Sequence, residues 1–283
     1  MRRLVILDFD GTMTDAEVEG LPFREGYLED LAALTGRDLP EILDMAERFE
    51  AEVLADPQQY GWLWQGNIVA PACVDPYLRI MPVARKILDA CGAITNEADR
   101  SRLLEDVLFK YNYRKTVRAF REHAAEALAA LEPFDTWVVT NAHVEPVLAK
   151  IAELDSQLKA SGSGSLAWLL EKVRGRAQKQ VVDDSFEVVP RELLLPGLRR
   201  SVLARRPYYR EVLEDLRGKL PWEQVTVVGD IFELDLSLPL MLGAHVVLAA
   251  NRFTPDYERA FVKSHPRGHL IEDLRAIREI VMR

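Results

Sequence analysis

Two carboxylates separated by one residue stand near the start of the chain, in the string Asp8-Phe9-Asp10-Gly11-Thr12. In a continuing strand the two side chains would point to opposite faces of a sheet, but the glycine lets the chain turn sharply after them. Both carboxylates can then face one pocket. A D-x-D-G-T string arises by chance in a chain of this length with a probability on the order of 10⁻³ to 10⁻². The alternative is an acidic turn that only caps a helix.

Two more sets of polar residues follow short apolar runs later in the chain. Thr140 and Asn141 follow one run, and Asp230 and Asp235 follow another. Alone, the threonine and asparagine are weak evidence, because such residues at a strand end also serve as helix N-caps.

The apolar runs themselves predict the fold. Leu4 to Leu7 is continuously apolar, which is typical of a strand buried on both faces of a parallel sheet. Similar runs occur at residues 137–140, 225–228 and 245–248. Helical patterns separate these later runs, so we expect an α/β protein with a Rossmann-like parallel-sheet core and right-handed crossovers. In such sheets the chemistry lies beyond the carboxyl ends of the strands, where all three polar sets stand.

The stretch between the first two strands reads as almost wholly helical, with apolar residues three or four positions apart, such as Leu28 and Leu31. It is too long for one crossover. The sequence therefore predicts a helical cap at residues 17–116, inserted into an α/β core of residues 1–16 and 117–283. The segment Tyr60 to Asn67 is rich in aromatic residues and glycine, and it is either a core-filling turn or a specificity loop.

Residues 155–203 are predicted to be an insertion within the core. Ser161 to Ser165 reads as a flexible connector, and a helix is expected from Leu166 to about Gln180. The cations of this helix, among them Lys179, are interpreted as a solvated face.

Composition excludes several classes of function. The net charge of -9 and the pI of about 5.2 argue against a nucleic-acid partner. Cys73 and Cys91 lack metal-site spacing and fit a reducing compartment. No apolar run reaches the roughly 18 residues of a membrane span. We therefore expect a cytoplasmic protein without a membrane partner, and monomer and homodimer both remain open.

The motifs resemble those of the haloacid dehalogenase-like (HAD) superfamily, specifically its phosphatase branch with a helical C1-type cap after the first strand. The resemblance implies that Asp8 is a nucleophile that attacks phosphorus and that Asp10 is the general acid and base. It gives Thr140 a hydrogen bond to the transferring phosphoryl group. Gly11, Thr12 and Asn141 are the expected substrate-binding residues.

The string from Gly229 to Asp235 resembles the acidic motif of that family, which binds Mg²⁺. The resemblance implies a Mg²⁺ site formed by Asp8, the backbone carbonyl of Asp10, and Asp230, with Asp235 assisting. Glu233 is expected to face solvent.

One element departs from the family pattern. A lysine usually stands shortly before a proline upstream of the acidic motif, whereas this chain has Arg205-Arg206-Pro207. Arg206 is the first choice for the catalytic cation, as a working variant. The alternatives are a lysine supplied from elsewhere, such as Lys179, or a slowed enzyme.

The resemblance implies a Mg²⁺-dependent phosphohydrolase that acts on a small phosphorylated metabolite through an aspartyl-phosphate at Asp8. A phosphomutase using the same site and a non-catalytic phosphate-binding protein are the alternatives. Dehalogenation is disfavoured because Asp10 and Asp230 would be superfluous for attack on carbon. Phosphonate cleavage is disfavoured because that branch normally has a small residue in place of Asp10.

Overall fold

The computed structural model describes residues 3–283, which divide into two compact units. One unit contains the chain up to Asp15, Trp64–Ala70 and Phe120–Arg283. The other contains Ala16–Leu63 and Pro71–Ala119. We call them the α/β unit and the helical unit. The predicted cap at 17–116 covers most of the helical unit, but residues 64–70 group with the α/β unit instead.

The strands and helices of the described residues follow in chain order. The strands are β1 (Leu4–Leu7), β2 (Gly61–Trp64), β3 (Asn67–Pro71), β4 (Asp135–Val139), β5 (Val173–Arg174), β6 (Glu192–Leu193), β7 (Val202–Leu203), β8 (Val225–Gly229), β9 (His245–Ala249) and β10 (Gly268–Ile271). The α-helices are α1 (Ala16–Thr35), α2 (Leu39–Ala55), α3 (Pro76–Cys91), α4 (Glu97–Ser101), α5 (Lys110–Asn112), α6 (Ala124–Ala129), α7 (Val144–Ser161), α8 (Pro207–Arg217), α9 (Ser237–Leu242), α10 (Asp256–Ser264) and α11 (Ala276–Met282). Within residues 3–283, no helix is both long and apolar enough to cross a membrane.

A six-stranded parallel sheet forms the centre of the α/β unit, in the order β10-β9-β8-β1-β4-β5. The predicted α/β fold class is thereby confirmed. Leu7 of β1 pairs with Val138 of β4 on one side and with Val228 of β8 on the other. The residues that follow these three strands therefore lie at the same edge of the sheet, which is the edge where the polar sets stand.

Helices cover both faces of this sheet, because each face carries apolar side chains that must leave water. All four side chains of β1 are buried. Leu4 and Ile6 belong to one cluster with residues of α8, α9 and α10, such as Leu213. Val5 and Leu7 belong to a second cluster with α6, α7 and α11. Three layers result, with β1 in the middle of the sheet.

The helical unit has its own apolar core, built from α1, α2, α3 and the following helical turns. Tyr27 is buried in it, and its hydroxyl donates to the carbonyl of Leu104. The segment predicted to be almost wholly helical also contains a two-stranded sheet of β2 and β3. Between these strands, Gln65 and Gly66 both have positive φ, as a tight hairpin turn requires.

The predicted insertion at 155–203 begins too early. Helix α7 runs through position 155 to Ser161, and β5 is the edge strand of the main sheet. The helix predicted from Leu166 to Gln180 is absent from that stretch: Val173 pairs with Val138, and Arg176 and Gln178 adopt left-handed φ angles that no α-helix tolerates. Only after Arg174 does the chain leave the sheet, for a segment that includes the antiparallel pair of β6 and β7.

Candidate functional site

Asp8 follows β1 directly and is 8% exposed. Its Oδ1 accepts a hydrogen bond from Lys179 Nζ at 2.6 Å. The same ammonium donates to Oδ1 of Asp235 at 2.8 Å. Lys179 is 2% exposed, so a buried cation bridges two buried carboxylates. Interactions of this kind are strong, because little water screens them.

Gly11 leaves room for a third carboxylate, that of Asp230, close to Asp8. It has a φ of +83°, and a Cβ at this position would lie 2.4 Å from Oδ2 of Asp230. Only glycine fits here. The buried hydroxyl of Thr12 contacts both carboxylates, with Asp230 Oδ1 at 2.8 Å and Asp8 Oδ2 at 3.2 Å. The predicted substrate-binding residues Gly11 and Thr12 thus pack against carboxylates.

Asp235 is held from several sides. Its Oδ2 accepts from the backbone N–H of Ile231 at 3.1 Å, and its carbonyl accepts from the hydroxyl of Tyr209 at 3.0 Å. A Cβ at position 229 would lie 2.4 Å from the Cβ of Asp235, so Gly229 permits this approach. These contacts fix the carboxylate of Asp235, and its Oδ1 accepts from Lys179.

The three carboxylates could hold a metal ion. Oxygens of Asp8, Asp230 and Asp235 lie within 4.8 Å of one another, and all three residues are buried. When all three are ionised and the charge of Lys179 is counted, the cluster has a net charge of two negative units, which a divalent cation would balance. Carboxylate oxygens are the hard ligands that Mg²⁺ prefers, so the donor set fits that ion. The Asp10 carbonyl as a ligand stays a prediction.

Charge and burial act in opposite directions on the bridged pair. Burial raises the pKa of the Asp8 carboxyl to about 7, against the lowering effect of the nearby Lys179 ammonium. Burial also opposes the charge of Lys179, but the carboxylates of Asp235 and Asp8 outweigh it and raise the pKa of the lysine. The lysine therefore stays protonated.

Asp10 lies beside this cluster with a partner of its own. Lys150 of α7 donates from Nζ to Asp10 Oδ1 at 2.7 Å. The Asp10 side chain is 34% exposed, unlike the buried Asp8. An ammonium group therefore faces the residue that is predicted to be the general acid and base.

Thr140 and Asn141 hold the loop that carries the lysine. The Thr140 carbonyl accepts from the backbone N–H of Ala177 at 3.0 Å, and Asn141 Oδ1 accepts from the backbone N–H of Lys179 at 2.8 Å. The hydroxyl oxygen of Thr140 accepts from the N–H of Ala142 at 3.0 Å. Asn141, predicted to contact substrate, therefore supports Lys179.

Arg206 lies elsewhere than the sequence predicted. Its guanidinium donates to the carbonyls of Lys179 and Val69, and Lys179 is the cation on Asp8. Lys179 is the alternative that the sequence analysis named, and the segment with β6 and β7 separates it from the proline that begins α8. The signal that would have favoured Lys179 is the short β-like string Val173-Arg174-Gly175 before it.

Glu233 is also placed differently from the prediction. It is 0% exposed, because the chain after Asp230 forms a π-helical turn, Phe232–Leu236, that is buried throughout. Its two carboxylate oxygens accept from Arg200 at 2.6 and 2.8 Å. The pair of Arg200 and Glu233 therefore stabilises the turn Phe232–Leu236, which we call the acidic turn and which carries Asp235.

The tip of the β2–β3 hairpin lines a cavity of about 540 Å³ in the α/β unit. Trp64, Gln65 and Asn67 stand on one wall, with Tyr208 among the other lining residues. The segment Tyr60 to Asn67 is a hairpin and not a simple turn, and its role as a specificity loop stays a prediction.

Comparisons with known proteins identify the fold. No protein-family model and no curated protein sequence matches the chain. A structure of a predicted phosphoglycolate phosphatase from Haemophilus somnus is 16% identical, covers 99% of this chain and 97% of its own, and gives a TM-score of 0.53. YfnB from Bacillus subtilis, described as a HAD-hydrolase and bound to magnesium, is 14% identical with full coverage of both chains and a TM-score of 0.50. The chain therefore has the fold of the haloacid dehalogenase-like hydrolases.

Proposed function

We propose that this chain is a HAD-type, Mg²⁺-dependent phosphohydrolase that cleaves a small phosphate monoester through an aspartyl-phosphate at Asp8. The observation that carries the proposal is the buried bridge of Lys179 between Asp8 and Asp235, at 2.6 and 2.8 Å, beside the carboxylate of Asp230. A cation that fixes a carboxylate in a metal-competent acidic cluster suits attack on an anionic phosphate.

In the first step, a carboxylate oxygen of Asp8 forms a bond to phosphorus and the bond from phosphorus to the leaving oxygen breaks. The Asp10 carboxyl gives its proton to that oxygen, which leaves as an alcohol. In the second step, water attacks the phosphorus of the aspartyl-phosphate and gives a proton to the Asp10 carboxylate. The bond between Asp8 and phosphorus breaks, which releases inorganic phosphate and restores both side chains.

Electrostatics explain the need for cations here. Two like charges ~4 Å apart repel by about 4 kcal/mol at an effective dielectric of 20. Lys179 offsets part of that repulsion, since its ammonium lies against Asp8. Mg²⁺ held by Asp8 and Asp230 would supply the remaining positive charge and polarise the phosphoryl group. The hydroxyl of Thr140 would donate to a phosphoryl oxygen.

The carboxylates also favour phosphoryl transfer over dehalogenation. Attack on carbon needs neither an acid for an alcohol leaving group nor a metal, and both Asp10 and Asp230 would then lack a use. We further propose that the helical unit acts as a cap, that the substrate is a small phosphorylated metabolite and that the protein is cytoplasmic.

The direct test is phosphate release from a panel of sugar phosphates, nucleotides and phospho-amino acids, with Mg²⁺ or with EDTA. We expect turnover only with Mg²⁺ and its loss in Asp8→Asn. Asp215→Asn is the control, because that carboxylate is exposed and pairs only at 3.6 Å with Arg174. After acid quenching, mass spectrometry should find phosphate on the peptide that contains Asp8. Full activity in Asp8→Asn would refute the proposal.

A further inference from the structure

We propose that Arg206 is a positioning residue, which fixes the backbone of Lys179 so that the lysine ammonium reaches both Asp8 and Asp235. This inference rests on the proposed function of that site. It gives Arg206 a role that acts through Lys179 and involves no contact with substrate.

The contacts of Arg206 define this role. The residue is 0% exposed. One terminal nitrogen, Nη1, donates to the carbonyl of Lys179, and the other, Nη2, donates to the carbonyl of Val69 at 3.0 Å. A planar guanidinium holds its donors in a fixed fork, so the two carbonyls are held in a fixed relation to each other. Arg206 therefore ties the loop that contains Arg176, Gln178 and Lys179, which we call the lysine loop, to strand β3.

The lysine loop needs such external ties. Arg176 and Gln178 have φ angles of 54° and 49°. Each left-handed residue other than glycine costs roughly 1–2 kcal/mol, so the loop holds this shape only where its surroundings enforce it. On its N-terminal side, the loop is held by Thr140 and Asn141. The bond from Arg206 holds the carbonyl of Lys179 itself.

The energetic cost of Arg206 supports a dedicated role. Burial lowers the pKa of its guanidinium to about 10, which reflects the difficulty of keeping a charge away from water. A buried charge is destabilising unless its hydrogen bonds compensate, and an apolar side chain of similar size would avoid that cost. The arginine supplies what an apolar residue lacks, namely two aligned donors.

The test compares Arg206→Met with Arg217→Met. Arg217 is a matched control, because it ends helix α8, which Arg206 directly precedes, and also donates to a backbone carbonyl, that of Leu220 at 2.7 Å. We expect Arg206→Met to lower kcat by about 10²-fold with little change in KM, since a displacement near 1 Å costs about that much. Arg217→Met should keep kcat.

A double-mutant cycle separates positioning from general destabilisation. If Arg206 acts through Lys179, then Arg206→Met should cost little further activity once Lys179→Ala is present. An equal loss of activity in both backgrounds would overturn the inference. Should Arg206→Met fail to fold, Arg206→Lys takes its place, because a lysine keeps the charge but loses the two aligned donors of the guanidinium. We expect Arg206→Lys to lower kcat by about tenfold. An unchanged kcat would overturn the inference.

A spectroscopic measurement tests the inference without catalysis. A buried, hydrogen-bonded ammonium exchanges its protons slowly, so Lys179 Nζ should give a signal in ¹⁵N-lysine NMR, assigned by its loss in Lys179→Arg. We expect the signal to shift or disappear in Arg206→Lys and to persist in Arg217→Met. An unchanged signal would overturn the role of Arg206 even in an active enzyme, whereas absent turnover in the wild type would refute only the proposed function.

Discussion

Lys150 Nζ lies 2.7 Å from Asp10 Oδ1, although the two residues are 140 positions apart in the sequence. Helix α7 brings the lysine to the edge of the sheet where Asp10 follows β1. In the proposed mechanism a proton would move at the carboxyl that Lys150 contacts. The ion pair would therefore position the proposed general acid.

We expect Lys150→Met to lower kcat by up to about fivefold, because the Asp10 carboxylate loses the ammonium that fixes its position. The loss is modest because the pair is partly exposed. Steady-state kinetics with Mg²⁺ provide the measurement. Lys159→Met is the control, since Lys159 lies on α7 but pairs with Asp155. An unchanged kcat in Lys150→Met would contradict the expectation.

Lys179→Met should lower kcat by about 10²- to 10³-fold, as does the loss of one group that stabilises transition-state charge. It should also destabilise the Mg²⁺-free protein by about 3–5 kcal/mol, because two buried carboxylates lose their cation. Added Mg²⁺ should restore part of the lost stability. Steady-state kinetics and denaturant unfolding with EDTA or Mg²⁺ measure both effects. Wild-type stability in EDTA would argue against the bridge.

Gly11→Ala should abolish the thermal stabilisation that we expect from Mg²⁺ in the wild-type protein. The new Cβ would lie 2.4 Å from Asp230 Oδ2, which forces that carboxylate away from Asp8. Gly162→Ala is the matched control: its φ is also positive, at +69°, in the left-handed helical region, but no heavy atom lies within 4 Å of the added carbon. It should cost only about 1 kcal/mol of backbone strain and keep the response to Mg²⁺. Calorimetry with and without Mg²⁺ distinguishes the two outcomes.

Asp8 should make the metal-free protein less stable as pH rises from about 4 to about 7. Its pKa is 3.8 when unfolded and about 7 when folded, so in this range the unfolded chain releases the proton first and gains stability. Below the range both states are protonated, and above it the loss is complete. Asp8→Asn should lack this component. Melting temperatures in EDTA provide the measurement.

If Mg²⁺ binds as proposed, the same proton should make its effect depend on pH. Mg²⁺ would bind the ionised carboxylate, so it would have to displace the proton from Asp8 at low pH. We expect Mg²⁺ to raise the melting temperature more at pH 8 than at pH 5.5. Equal stabilisation at both pH values would show that Asp8 is ionised throughout or does not bind the metal.

The sequence predicted those parts of the fold that depend on local pattern. The apolar run Leu4 to Leu7 matches β1, and the parallel sheet that it implied brings Asp8 and Asp230 together. Strand β5 was not predicted, because two residues are too few to form a pattern. A sequence pattern predicts a strand only when several neighbouring residues share it, as they do in β1 and do not in β5.

Lys179, which contacts Asp8, was named only as an alternative to Arg206 for a different reason. The position of Lys179 depends on a loop with two left-handed residues and on ties from Asn141 and Arg206, which no periodicity reveals. Glu233 was expected to face solvent because it is charged. Its burial depends on Arg200, a partner 33 positions away in the sequence.

The bond from Arg206 to the Lys179 carbonyl joins the two ends of residues 180–205. The chain leaves the site after Lys179 and returns to it at Arg206, so the bond between these residues closes residues 180–205 into a loop. Because Arg200 of this segment pairs with Glu233, the segment can be lengthened without disturbing the acidic turn only at exposed positions such as Leu194, which is 72% exposed. A ligand-sensing domain inserted at such a position would be connected to Lys179 through Arg206, which would offer protein engineering a way to control the site from outside.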